Sequence, residues 1–264
     1  MNYFYYAIVC LCIMLLCSCN AVDKKPSSSK KPDLITTYDL LVRLGDSCIN
    51  IATDAAIKLQ SYPQNDLLLN TKKLFENKEP VRVLEQSVYF CQQRVPNRVR
   101  ELLPLGISHS YPRVISAAIH VLTLSKLNPS GKEVDELAPF LKHENVIVRL
   151  RTAELLRNHG RDEEVFQVLV SELENFDTSD YYDDWFPAAA VAKNVLTDWK
   201  PEDVLKGLII KLKPVNPVVK YHLIDAAIVA SGTTSRYIFS KRGNPTKEMI
   251  ETLDIYAKRI GISY

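Results

Sequence analysis

VDELAPFL at residues 134–141 and VIVRLRTAELLRN at 146–158 are two apolar-periodic segments, joined by Lys142-His143-Glu144-Asn145 and closed by Gly160. Their apolar residues recur at steps of three and four, the spacing of a helix face rather than the alternation of a strand. Moved back 34 residues, the pair lands on its neighbour: Leu137 on Leu103, Leu141 on Ile107, His143 on His109, Val148 on Val114 and Leu156 on Leu122. Five matches at one offset, all at helix-facing or turn positions, predict a repeated two-helix unit with a period in the range of helical solenoids.

The rhythm extends both ways. Residues 165–173 and 186–196 (FPAAAVAKNVL) predict the next pair, with 175–184 inserted between them; 203–212 and 217–230 predict another, introduced by Pro201 and divided by Pro214-Val215-Asn216-Pro217. Upstream, 65–75 and 80–94 form a weaker pair, and 37–59 reads as one longer capping helix. At the far end 245–260 reads as a closing helix, with Thr246 at its start, Glu248 and Glu251 early and Lys258 and Arg259 late, as the helix dipole favours. The pairs Val114-Ile115 and Ile209-Ile210 suit strands, but the spacing around them is nearer 3.6 than 2. Eight glycines in 264 residues also suit a helical chain. The expected class is all-α, arranged as stacked pairs or as an irregular helical domain.

The units resemble HEAT-like repeats, including the short copies of the phycobilin-lyase type. The resemblance rests on Val148-Arg149 followed by Ala153 and Leu155-Leu156, which follows the second-helix pattern V-R-x-x-A-x-x-L with the alanine displaced by one. Small residues that permit close helix approach recur at Ala117-Ala118, Ala153, 188–190 and Ala226-Ala227. It covers residues 96–232 and implies an α-solenoid, with 34–95 as an N-terminal helical region and 233–264 as a C-terminal cap. Such arrays offer an extended face to another macromolecule.

Before the helices, residues 3–16 are apolar and lead into Leu16-Cys17-Ser18-Cys19, after which the chain turns polar. A stretch of about 14 residues is short for a bilayer span of about 20 but fits the core of an export signal. The segment resembles a bacterial lipoprotein signal, with Leu16, Ser18 and Cys19 matching its cleavage box. The resemblance implies removal of residues 1–18 and acylation of Cys19, hence a lipid-anchored protein of the bacterial cell envelope. With Asn20 rather than Asp after the box, a Gram-negative host would place it in the outer membrane. One departure is the pair Met1-Asn2, which carries no Lys or Arg.

Residues 19–33 then read as a tether, rich in Ser, Pro and Lys with little to bury. Lys24, Lys25, Lys30 and Lys31 against Asp23 and Asp33 give the segment +2, which is the whole formal charge of the chain. Residues 34–264 are therefore neutral overall. The tether either attracts anionic lipid or is a solvated spacer, and the neutral body argues against nucleic acid, which needs a basic stripe.

Catalytic signatures are absent. There is no HExxH, GxSxG, phosphate-binding loop or dinucleotide fingerprint, and neither a metal nor a cofactor is expected. His109 and His143 fall at equivalent turns, and in a stacked array they would lie about 10 Å apart along one edge, too far to share an ion. Cys48 and Cys91 are either a disulfide or two buried thiols, with neither in a metal-ligand spacing. The insertion NFDTSDYYDDWF, residues 175–186, sets Tyr181, Tyr182, Trp185 and Phe186 among Asp183, Asp184 and other acids. It is either a binding loop for a basic peptide or sugar, or a cap for the helical core with solvated acids. Its acids lack the spacing and glycine of a helix-loop-helix calcium site. Trp199 reads as a core plug. The functional expectation is a membrane-tethered scaffold or adaptor that binds a protein or peptide. The alternative is an exported enzyme or small-ligand-binding protein on the same scaffold.

Overall fold

All regular structure among the described residues is helical; the computed structural model describes residues 35–173 and 188–199, a helical stretch at Leu223, Ile224, Asp225 and Ala226, and the single positions Ile255, Lys258 and Gly261. The chain divides into two compact units, Met1–Arg94 and Val95–Tyr264. The helices expected over 203–212, 217–230 and 245–260 otherwise lie outside the described residues. Leu223, Ile224, Asp225 and Ala226 are buried.

The first unit opens with a reciprocal cap. The Thr36 hydroxyl accepts the Asp39 backbone N–H at 3.2 Å while the Asp39 carboxylate accepts the Thr36 N–H at 3.1 Å, and α1 (Thr37–Leu44) follows. The single helix expected over 37–59 is in fact two, because α2 (Ile49–Leu59) starts afresh after a break at Gly45. A Cβ at Gly45 would lie 2.5 Å from Val83 Cγ2 and 2.7 Å from Val83 Cα, so the end of α1 rests directly on the backbone of α4 (Val81–Arg94). The Asp46 carboxylate then accepts the Cys48 N–H at 2.7 Å and turns the chain into α2. With α3 (Gln64–Glu76), these helices bury Leu40, Leu41, Leu59, Leu67, Leu68, Leu74 and Leu84. The Tyr62 hydroxyl holds the Ile35 carbonyl at 2.9 Å, and the Arg94 guanidinium holds that of Gln60 at 2.8 Å.

In the second unit a 3-10 segment, Pro96–Leu102, leads into α5 (Leu103–Ile107) and α6 (Pro112–Leu124). There follow α7 (Gly131–Leu137), a 3-10 segment at Ala138–Lys142, α8 (Val146–Leu156), α9 (Asp162–Glu172) and α10 (Ala188–Trp199). The helix expected over 134–141 is therefore divided. It starts earlier, at a Ser130–Glu133 capping box, and tightens after Leu137 because Pro139 has no N–H to continue the α pattern. Likewise α9 starts ahead of its apolar residues, since Asp162, Glu163 and Glu164 form a first turn that the helix dipole favours.

The residues matched at the 34-residue offset share their environments. Leu103 and Leu137, Val114 and Val148, and Leu122 and Leu156 are all buried, although Ile107 is only half-buried where Leu141 is buried. Helix α6 packs on α5 and α8, and α8 packs in turn on the 138–142 segment, α9 and α10. Val114-Ile115, compatible with a strand by residue type, lies in this helical packing.

The closest approach is at Gly106, where an added Cβ would fall 2.1 Å from the Ala118 Cβ. Gly106→Ala should therefore cost about 1–3 kcal/mol through overpacking. Gly131, at the start of α7 with nothing within 4 Å of its Cβ position, provides the control. Gly131→Ala should be neutral or stabilise by up to about 1 kcal/mol. Urea unfolding midpoints of the two variants check the contrast.

Candidate functional site

Helices α6 and α8 run side by side in the same sense, because residues of their last turns line one shared groove. The two matched histidines stand in the turns that lead into the opposite, N-terminal ends of these helices. His109 Nδ1 accepts the Tyr111 backbone N–H at 3.2 Å, and His143 Nδ1 accepts that of Asn145 at 3.0 Å. Both imidazoles thus close the same two-residue turn before a helix, each through Nδ1 on a backbone N–H. Burial also lowers the pKa of His109 below the usual histidine value.

Each histidine pairs with an aromatic ring. The His109 and Tyr111 ring centroids are 5.5 Å apart, and those of Phe140 and His143 are 6.1 Å apart with planes nearly parallel at 13°. Tyr111 is exposed. The helix starts themselves are solved differently. The Asn145 side chain accepts the N–H groups of Ile147 at 3.0 Å and Val148 at 3.4 Å, whereas Tyr111 makes no side-chain cap and Pro112 follows it, removing one donor that would need a partner.

Arg149 joins this edge to the end of α9. Its NH1 donates to the carbonyls of His143 and Glu144, both at 2.7 Å, while Nε and NH2 reach the Glu172 carboxylate at 2.6 and 2.5 Å. Glu172 is 2% exposed, so the pair is largely withdrawn from water. The chain therefore leaves α9 beside the 142–145 turn and re-enters at α10, which packs on α8 and α9. The insertion residues Tyr181, Tyr182, Asp183, Asp184, Trp185 and Phe186 lie outside the described residues, as does Cys19. What the structure places is the point from which that insertion departs.

Other candidates resolve separately. Cys48 and Cys91 are free thiols, so no disulfide joins them: Cys48 is exposed before α2, while Cys91 is buried in α4 with its Sγ 3.2 Å from Thr71 Oγ1. Burial pushes the Cys91 thiol up to about 11, which makes it a core residue rather than a nucleophile. Trp199 is half-buried rather than a core plug, and its indole N–H donates to Asn158 Oδ1 at 2.7 Å. Among the described residues no cluster of three His, Cys, Asp or Glu side chains is placed to hold a metal ion. Tyr111, Phe140 and Glu172 escaped the sequence reading. The only trace of the first two was an aromatic within three residues of each matched histidine.

Compared with protein-family models, curated proteins and solved structures, the chain matches none.

Two measurements test the electrostatics of this unit. Glu172→Ala strands the Arg149 guanidinium and should cost about 2–3 kcal/mol in urea unfolding, whereas Arg149→Leu with Glu172→Leu should cost less than Glu172→Ala alone. His120, 4% exposed within α6, is held well below the usual histidine pKa by burial and then by the Arg151 charge. It is neutral when folded but takes a proton in the unfolded chain below about pH 6.5. Its contribution is therefore complete above that pH and is lost as pH falls, with a slope approaching about 1.4 kcal/mol per unit. His120→Gln should flatten the acid side of the stability profile by that amount.

Proposed function

We propose that this chain is a lipid-anchored adaptor of the bacterial envelope, held by acylated Cys19, whose stacked helical units bind a protein or peptide along the edge formed by their first turns. The observation that carries the reading is the convergence at that edge. The His109–Tyr111 and Phe140–His143 pairs lie there, and Arg149 brings the departure point of an aromatic, acidic insertion beside the second of them. Half-exposed aromatic and imidazole rings on a rigid helical frame offer contact area at low entropic cost, as protein-binding surfaces do.

Support for a HEAT-like solenoid comes from the shared burial of residues 34 apart and from the order of contacts, α6 to α8 to α10, in which second helices meet. Support for the anchor comes from the apolar residues 3–16 and the Leu16-Cys17-Ser18-Cys19 box. No helix of the described residues is long and apolar enough to cross a membrane.

The anchor is tested by intact mass and membrane fractionation of the protein from its own host. Wild type should begin at Cys19 with acyl mass, and Cys19→Ala should lose that mass and leave the membrane; a chain that keeps Met1 would remove the anchor from the proposal. The edge is tested by cross-linked pull-down from envelope extract. Trp185→Ala with Tyr182→Ala, and separately Tyr111→Ala, should reduce recovery of one shared partner by at least about tenfold, the scale expected for loss of aromatic anchor residues. Unchanged recovery with both would exclude this edge.

A further inference from the structure

The opposite edge carries a second feature. Between the C-terminal ends of α6 and α8 lies a groove of about 180 Å³, lined among others by Thr123, Lys126, Glu154, Arg157 and His159. Its volume equals that of roughly six water molecules. That is too small for a typical drug-sized ligand but ample for one charged group of a larger molecule.

The charge balance in the groove is one-sided. Glu154, its one carboxylate, is occupied by Arg151 at 2.8 Å. Among the described residues no carboxylate pairs with Lys126, Arg157 or His159. The Thr123 hydroxyl is buried without a hydrogen-bond partner, and so is that of Ser125, two residues further on. A basic residue in the last turn of a helix is favoured by the dipole alone, but that preference gives no reason for an unsatisfied hydroxyl. Nor are the helix ends waiting for a side chain to cap them. The Leu127 N–H already bonds the Leu122 carbonyl at 3.0 Å, and the Arg157 N–H bonds that of Ala153 at 3.1 Å.

The backbone conformation of Lys126 gives the site a stability handle. Lys126 closes α6 with φ at +53°, a left-handed conformation that glycine adopts freely and lysine does not. The chain keeps a cationic side chain on the groove at a position where its backbone would be better served by glycine. Lys78, in the first unit and not among the groove's lining residues, has the same conformation at the end of α3, with φ at +55°. It serves as the natural control.

We propose that this groove is an oxyanion site, in which Lys126 and Arg157 neutralise a carboxylate or phosphate group. The site does not depend on the lipid anchor or on the turn edge, and its ligand is either a free small oxyanion or an acidic side chain of a bound polypeptide.

The test uses the full processed chain in detergent at constant ionic strength. It is titrated by calorimetry and ligand-observed NMR with inorganic phosphate, and separately with N-acetyl-Gly-Glu-Gly-amide, whose only charge is one side-chain carboxylate. Wild type should bind at least one probe saturably. Arg157→Gln should weaken that binding by about tenfold, and Lys126→Gly by at least about fivefold, as expected for loss of a charge-assisted contact. Lys78→Gly should leave it unchanged. Lys126→Gly should also raise the urea midpoint by relieving the positive φ, so that lost binding cannot be put down to unfolding. Binding of phosphate alone identifies a free small oxyanion; binding of the peptide as tightly or more so identifies an acidic segment. Absence of saturable binding for both probes, or groove variants that bind as wild type does, would overturn the proposal.

Discussion

Nine consecutive residues of α6, Val114 to Leu122, are buried, and α8 buries Val146, Val148, Leu150, Thr152, Ala153, Leu155 and Leu156. A stretch buried on every side, as in α6, must be covered all round, and α8 needs cover on most of its circumference. The cover for α8 comes from α6, α9, α10 and the 138–142 segment. Each fully buried Leu, Val or Ile contributes about 1.5–3 kcal/mol, so this seam dominates the stability of the second unit. It also sets conditions on what the helices carry. The Thr152 hydroxyl turns back onto the Val148 carbonyl at 2.7 Å, and the two arginines and the glutamate within α8 are each matched by an opposite charge.

Helices committed largely to a core leave much of their chemistry to their ends. At the first-turn edge, imidazole nitrogens serve the backbone and their rings stack on aromatics. At the last-turn edge, basic side chains line a small groove. Because α6 and α8 run in the same sense, like ends are brought together and each edge has one chemical character. A buried neutral His120 within α6 fits the same division, since a charged imidazole at that depth would carry a desolvation cost and be repelled by the Arg151 charge.

Helix content and the matched core positions were legible because a 3.6-residue period and a 34-residue offset register apolar residues directly. Boundaries failed where other chemistry intervened. Gly45 broke the expected 37–59 helix because its contact with Val83 is 38 residues away in sequence, and nothing local announces a distant backbone. Pro139 did announce itself, but as one proline in an apolar run it was absorbed into the helix rather than read as a tightening. The acidic first turn of α9 was missed because a count of apolar residues does not register capping charge. The last-turn groove was invisible for a different reason: Thr123, Lys126, Arg157 and His159 are ordinary residues in sequence, and only the parallel seating of two helices makes them neighbours.

The two matched units also differ in a way that bears on their roles. At the position of Arg149 the preceding unit has Ile115, 4% exposed, which contributes to the core and makes no clamp. The difference follows from what comes next. After α6 the chain passes directly through Leu127 and Asn128 to α7, and Arg100 secures that passage by binding the Asn128 carbonyl and pairing with Glu133 at 3.1 Å. After α8 the following helix, α9, must instead launch a long connection to α10 from a defined place. Arg149, with Nε and NH2 converging on one Glu172 oxygen and NH1 on two turn carbonyls, holds the end of α9 by directional bonds that apolar contact alone does not supply. The second unit thus exchanges part of its apolar cover for directional bonds at the point where the chain departs from the repeat.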